Sequence, residues 1–333
     1  MNSRYLNAMK NKILSYLLKK RINFWEMTSR MDYMPEFSSV LKKMEKEGLI
    51  KIKNSYLLLT QKGKKTAFSL KIIPQSLPPL NICEIKMDKK LLKDYKNFGN
   101  KIFDKDKFDQ LQITGEGIVK KIEAMRSFDD LKDKKIICLG DDDFVGIALA
   151  LTKEPKEITI LDIDKEIIDY ENNVLKKLGY KKRAFLWDFL KPIPRRFRKK
   201  YDIFITEPPD TVKGITLFFS RGIECLNKKG GIAYLGVGRN DLKENDFLKI
   251  EKNILKMKGL ITDIFSRFQG YKPSKTDFDW VSGLPKEITF SKKPWFFSDL
   301  LRVKILNGAV PLIKGKKGEK FRKSFIKTEI FLD

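Results

Sequence analysis

The sequence predicts an α/β protein: a doubly wound, mostly parallel sheet with a smaller, mainly helical module ahead of it. Three observations predict this. From Ile136 onward, short apolar runs rich in β-branched residues alternate with segments of helical periodicity. The first two runs, Ile136–Leu139 and Ile158–Leu161, frame a glycine turn at Gly140 and a small-residue helix starting at Gly146. The stretch Pro74–Pro79 holds three prolines in six residues and separates a differently patterned N-terminal part.

In order along the chain, residues 1–73 read as three helices, a hairpin and a closing helix. Ile13, Leu14, Leu17 and Leu18 share one apolar face, and Phe37, Val40, Leu41 and Met44 share another that stops at Gly48. Strands at 49–53 and 56–60 flank the two-residue turn Asn54-Ser55, and Gln61-Lys62-Gly63-Lys64-Lys65 starts the last helix. The order resembles a winged helix-turn-helix. Lys42, Lys43 and a basic wing suit DNA, whereas Glu45 and Glu47 repel phosphate. A module reused for dimer contacts or as a lid is therefore favoured over nucleic-acid binding, and a homodimer is expected.

Residues 74–134 form a linker and connecting helices, including an amphipathic helix at Glu116–Met125 that leads into the sheet. Residues 135–310 hold the sheet. After the first two strands come a helix at Lys165–Leu178, strands at Arg183–Trp187 and Tyr201–Thr206, and a helix at Ile215–Leu226. A strand at Ile232–Val237, a helix at Asp246–Lys258, a strand at Ile261–Phe268 and an antiparallel strand at Val303–Leu306 complete it. Residues 311–333 read as a basic, mobile tail with seven basic and three acidic side chains.

Charge points to the site. The chain carries 69 basic and 43 acidic residues for a net +26, yet Ile136–Asp164 holds seven acids and two lysines. A turn that cradles phosphate needs bare backbone amides, and carboxylates nearby repel the anion. Here Asp141, Asp142 and Asp143 follow Gly140 directly, so the turn suits a cationic guest. All of the first four strands end in carboxylate: Asp141–Asp143, Asp162 with Asp164, Asp188, and Glu207 with Asp210. In a doubly wound sheet these ends converge on the ligand crevice. Asp143 and Asp164 also read as possible helix N-caps, and Pro208-Pro209 as a rigid turn.

Composition excludes much else. With no histidine, the usual zinc ligands and the Ser-His and Cys-His nucleophile pairs are absent, and no metal is expected. Cys83, Cys138 and Cys225 lack CxxC spacing and read as packing residues. No run of 18 apolar residues and no signal-peptide pattern occurs, so a cytoplasmic protein is expected. Heavy Lys, Glu and Ile use without His fits a heat-adapted origin.

Asp162 lies 22 residues after Gly140, the spacing of a ribose-binding acid in nucleotide-binding βαβ units. The architecture resembles adenosylmethionine-type transferases, in which Gly140, Asp162 and Asp164 would line the nucleoside and Asp188 would take the adenine amino group. ICLGDDDFVGIALAL, ITILDID and YDIFITEPPDT, with Phe108-Asp109-Gln110, RGIECL and Lys293-Pro294-Trp295-Phe296, carry a narrower resemblance. Together they are similar to the branched-chain polyamine synthases over about residues 108–306, although that family usually shows DPPE where this chain has Glu207 and Asp210.

The resemblance implies a Rossmann-like catalytic domain behind a winged helix. It implies aminopropyl transfer from decarboxylated S-adenosylmethionine to the N4 amine of spermidine, with 5′-methylthioadenosine released each time. It places Asp142 at the reacting nitrogen and Asp141, Asp143, Glu207, Asp210, Asp109 and Gln110 around the amine. Lysines of the basic tail would be unfavourable near such a polycation unless their ends point away. The alternatives are an adenosylmethionine-dependent methyltransferase acting on RNA or protein, which the basic exterior would serve, and a DNA regulator that senses polyamines.

Overall fold

The N-terminal module folds around the apolar faces read from its sequence. Helix α1 (Ser3–Leu17) buries Ile13, Leu14 and Leu17, and is followed by β1 (Ile22–Asn23) and α2 (Phe24–Thr28). Helix α3 (Met34–Lys46) buries Phe37, Val40, Leu41 and Met44 and ends at Gly48, whose φ of +70° the absent Cβ permits. Strands β2 (Ile50–Lys53) and β3 (Tyr56–Leu59) meet through Asn54 and Ser55, both at positive φ, as a two-residue hairpin turn requires. The small sheet has the order β1-β3-β2 and is closed by α4 (Gln61–Ser69), capped by the Thr60 hydroxyl. The structure, a computed structural model, describes residues 3–31, 34–78, 85–99, 111–238, 242–273, 284–285 and 287–315.

Helix α5 (Lys89–Lys96), which the sequence reading passed over as connecting chain, is capped by Asp88 and turns Leu91 and Tyr95 inward. Helix α6 (Gly115–Ser127), capped by Thr114, leads into the sheet as expected.

Alternation then runs through β4 (Lys135–Leu139), α7 (Val145–Thr152), β5 (Glu157–Asp162), α8 (Lys165–Lys177), β6 (Ala184–Leu186) and β7 (Ile203–Thr206). It continues through α9 (Val212–Cys225), β8 (Gly231–Gly238), α10 (Glu244–Lys256), β9 (Gly259–Gly270) and β10 (Phe297–Ile305). The seven-stranded sheet has the order β6-β5-β4-β7-β8-β10-β9. Its first five strands are parallel, and β10 pairs antiparallel with both β8 and β9. The last strand is longer than the Val303–Leu306 segment expected, because it runs between two partners. Strand order reverses between β4 and β7, and the carboxyl ends at such a switch point are where open α/β sheets bind their ligands.

One apolar core covers the α6–α7–α8 face and continues into the N-terminal module; a second lies under α9 and α10. Trp25 packs on Trp295 with ring centres 4.7 Å apart, and its Nε1 donates to the Thr289 carbonyl. The root of the tail, residues 311–315, is held rather than loose. Buried Arg221 donates to the Ile313 and Gly315 carbonyls, and the Ile313 amide donates to Ser220. Residues 316–333, like Cys83, lie outside the described residues. Cys138 and Cys225 are free and buried, and burial pushes both thiols up. No helix among the described residues is long and apolar enough to cross a membrane.

Candidate active site

The turn after β4 is built to hold carboxylates together. Gly140 at φ +73° leaves the strand, and buried Phe144 at φ +55° enters α7 in a left-handed conformation that costs about 1–3 kcal/mol. Asp141 offsets that strain: its two oxygens accept from the Val145 and Gly146 amides at 2.8 and 2.7 Å and so cap α7. Asp143, read as a possible cap, instead accepts from the Ile113 amide at 2.5 Å, tying the chain ahead of α6 to the turn. Asp164 does cap α8, through the Glu166 amide.

Asp162 is buried and accepts from the Asp141 and Asp164 amides at 2.8 and 2.7 Å, which locks the ends of β4 and β5 together. Asp188 is partly buried and accepts from the Leu190 amide, and Asp210 accepts from the Gly238 amide at 2.7 Å. Asp109 and Gln110 lie outside the described residues.

Asp142 differs from its neighbours. Among the described residues its side chain has no hydrogen-bond or ion-pair partner, and it is partly exposed, while its own carbonyl is held by Gln112. Burial pushes its carboxyl well up, and Asp143, Asp162, Asp141 and Glu207 add to this by repulsion. Burial also raises Asp143 to about 7, with Glu207 pushing up and Lys121 pulling down. It raises Asp141 and Asp162 to about 6 despite their amide donors. Beneath them Glu171 is fully buried, with no donor to either oxygen among the described residues, and burial, with repulsion from Asp141, pushes its carboxyl well up.

Glu207, at the end of β7, is a hub that the sequence reading did not foresee. One of its oxygens accepts from Tyr271 at 2.6 Å, Gln269 at 2.8 Å and Ser298 at 2.9 Å; the other accepts from Gln269 at 3.0 Å and Lys121 at 3.2 Å. A bulge near Ser298 and Leu300 sets Ser298 opposite Gln269, so both reach the same carboxylate. Lys121 was missed although its spacing flags it. With Ile118, Ile122 and Met125 it lies on the apolar stripe of α6, where a cation is out of place without a partner. Burial lowers its affinity for a proton, but Glu207, Asp143 and Asp141 outweigh that and keep it charged.

The arrangement crowds carboxylates together, and burial and mutual repulsion favour their neutral forms. These acids bind protons more tightly folded than unfolded, where a carboxylate titrates near 4. Stability from this source is therefore fully present below about pH 4 and is lost as pH rises through about 6 to 7. Between pH 5 and pH 8 the melting temperature of the empty protein is expected to fall by about 5 °C or more. Asp143→Asn should flatten that slope, and a flat wild-type profile would contradict the charge assignment. Among the described residues no group of three or more His, Cys, Asp or Glu side chains is arranged to hold a metal ion.

Residues 91–324 match the branched-chain polyamine synthase A C-terminal domain. The N(4)-bis(aminopropyl)spermidine synthase of Methanocaldococcus jannaschii is 30% identical over 306 residues, 88% of this chain and 86% of the relative. That of Thermococcus kodakarensis is 30% identical over 290 residues, 83% of this chain and 81% of the relative. The crystal structure of the branched-chain polyamine synthase from Thermus thermophilus, in complex with N4-aminopropylspermidine and 5′-methylthioadenosine, shares the fold with a TM-score of 0.75. It is 20% identical and covers 93% of this chain and 92% of that one. A putative RNA methyltransferase from Pyrococcus horikoshii shares the sheet architecture, with a TM-score of 0.51, 18% identity and coverage of 66% of this chain and 100% of that one.

Proposed function

Since this chain belongs to the branched-chain polyamine synthase family, we propose that its acidic crevice moves aminopropyl groups from decarboxylated S-adenosylmethionine to the N4 nitrogen of spermidine. The protein is an aminopropyltransferase, and 5′-methylthioadenosine leaves at each turn. Two transfers give the quaternary N4-bis(aminopropyl)spermidine.

Each transfer has the same balance. The acceptor nitrogen first loses a proton; its lone pair attacks the methylene next to the sulfonium; the carbon–sulfur bond breaks, and its electrons return to sulfur as the neutral thioether. A secondary amine becomes tertiary in the first round and a tertiary amine quaternary in the second, with one proton released per round. Sulfonium is a good leaving group, so the protein's work is alignment and delivery of a neutral nucleophile. An alkylammonium titrates near ~10 and is almost fully charged at neutral pH.

One observation carries the assignment of the base: Asp142 is the turn carboxylate that no donor occupies among the described residues, partly exposed and surrounded by other acids. A cationic acceptor brought beside it lowers its proton affinity while it binds, then hands over its own proton as the nucleophile forms. Asp143 and Asp210, each anchored by a backbone amide, face the outer ammonium groups, with Asp141 holding the turn in shape. Asp162 and Asp164 border the ribose and Asp188 the adenine. The ordinary adenosylmethionine donor carries an extra carboxylate, which these acids repel; the decarboxylated donor ends in an ammonium instead. That asymmetry disfavours a methyltransferase. The N-terminal module is read as a winged helix that braces the catalytic domain through Trp25 and Trp295, and the protein as a cytosolic, heat-adapted enzyme.

The test is mass spectrometry of products from spermidine and decarboxylated donor. The expected result is N4-aminopropylspermidine followed by the quaternary product, with one methylthioadenosine per transfer. Turnover of adenosylmethionine on RNA, with none on polyamines, would overturn the reading.

A further inference from the structure

The carboxylate of Asp142 has to be aimed without a partner of its own, so the aim comes from the backbone of its turn. The Phe144 amide donates to the Asp141 carbonyl at 3.0 Å, which makes Asp142 and Asp143 the two corner residues. Corner carbonyls find no acceptor role within such a turn, and here each is taken by a side chain from outside it. The Gln112 side-chain amide donates to the Asp142 carbonyl at 3.0 Å, and the Tyr95 hydroxyl donates to the Asp143 carbonyl at 2.7 Å. Gln112 is 4% exposed, and its neighbour Ile113 pairs with Tyr271, whose hydroxyl donates to Glu207. The Gln112 amide is also oriented. Lys272 Nζ lies 3.1 Å from its Oε1 and 3.3 Å from the Gly99 carbonyl. An ammonium only donates, so the amide oxygen faces Lys272 and the amide nitrogen faces Asp142. Lys272 is held in register by its own backbone amide, which donates to the Gln112 carbonyl at 2.7 Å.

We propose that Gln112, oriented by Lys272, is a positioning residue for the transfer step: it fixes the peptide that follows Asp142 and so aims the unpartnered carboxylate at the acceptor nitrogen. This rests on the reading of Asp142 as the proton acceptor. The middle peptide of a turn is free to rotate, since the two common turn types differ by about half a revolution of that peptide. Gln112 pins it. A reacting arrangement tolerates little misplacement, and an error of about 1 Å costs about 10²-fold in rate. The nucleoside donor is bordered by other residues, Asp162, Asp164 and Asp188, so its affinity is independent of the aim of Asp142. Asp143 keeps its separate hold on the Ile113 amide.

The experiment is a cycle of Gln112→Met, Asp142→Asn and the double variant. Methylthioadenosine release from decarboxylated donor and spermidine is read at saturation and across donor concentrations. Gln112→Met is expected to lower kcat by about 10- to 100-fold, with KM for the donor within about threefold of wild type. Added to Asp142→Asn, it should cost no more than about a further threefold, because residues that act through one another are not additive. A purely structural role would leave kcat per folded molecule unchanged, or would cost the double variant the same factor again. Either result overturns the proposal. If Gln112→Met does not fold, Lys272→Met, at a partly exposed position, is read in its place. A kcat lowered about fivefold or more, with donor KM kept, then supports the proposal, and an unchanged kcat overturns it. If the wild-type protein transfers nothing to spermidine, or Asp142→Asn transfers normally, the reading of the site fails and this inference fails with it. An inactive Asp142→Asn beside a normal Gln112→Met removes the role of Gln112 alone.

Discussion

Asp142→Asn is expected to lower the rate of aminopropyl transfer by about 10³-fold while leaving binding of the nucleoside donor within a factor of about three. Asparagine keeps the shape and cannot accept the proton. Because Asp142 has no hydrogen-bond partner among the described residues, the change breaks no internal contact, and the fold should tolerate it. It also removes one group that resists ionisation, so melting at pH 8 should be unchanged or slightly higher. The decisive control is Asp141→Asn. That change strikes the cap of α7 and should cost about 1–2 kcal/mol of stability together with activity. Loss of turnover without loss of stability at Asp142, and loss of both at Asp141, separates the proton acceptor from the scaffold beside it. Near-normal turnover in Asp142→Asn would take the base role away from it.

The sheet was legible because its strands are buried on both faces. Ile136–Leu139, Ile158–Leu161 and Ile232–Val237 are mostly apolar runs, each followed by a glycine or an acid, and each lies within an observed strand. The acidic strand ends were legible for the same reason, since a carboxylate after a buried run stands out. Less local features did not show. The apolar and aromatic residues of α2 and of the segment around Trp295 gave no hint that Trp25 and Trp295 would stack, because 270 positions separate them. Helix α5 has too few apolar positions for its period to register.

The partners of Glu207 were hidden for a different reason. Gln269, Tyr271 and Ser298 arrive through antiparallel pairing of β9 with β10, and the bulge that aligns them leaves no mark in composition. Polar residues in a sequence read as surface unless something demands burial. Here the demand comes from Glu207, 62 residues before Gln269. The turn aspartates were read as a cation site from their sign alone, whereas the pairing of Lys121 with Glu207 is a property of the packed helix.

Gly236→Ala is expected to remove about 10²-fold of activity and about 3 kcal/mol of stability, although it adds one methyl group. Thr206 and Leu235 are paired in β7 and β8, so the next residues, Glu207 and Gly236, lie side by side. A Cβ on Gly236 would stand 2.0–2.1 Å from the Glu207 carboxyl carbon and both of its oxygens. A free glutamate would swing aside at little cost. This one is held by Lys121, Gln269, Tyr271 and Ser298 together, and moving it leaves a buried ammonium and three buried donors without their acceptor. The neighbouring Gly238 stands in the same relation to Asp210, with a Cβ 1.9 Å from its carboxylate. Two glycines at alternate positions in one strand thus clear the floor beneath two acids, a use of glycine that a strand interior otherwise disfavours. Gly179→Ala is the matched control: its φ of +85° makes alanine strained, by about 1–2 kcal/mol, but nothing lies within 4 Å of the added carbon. Turnover should survive that change and fail in Gly236→Ala, measured by methylthioadenosine release beside thermal melting. Equal losses of activity in the two variants would mean that glycine at 236 serves the backbone alone and that the Glu207 hub does not shape the site.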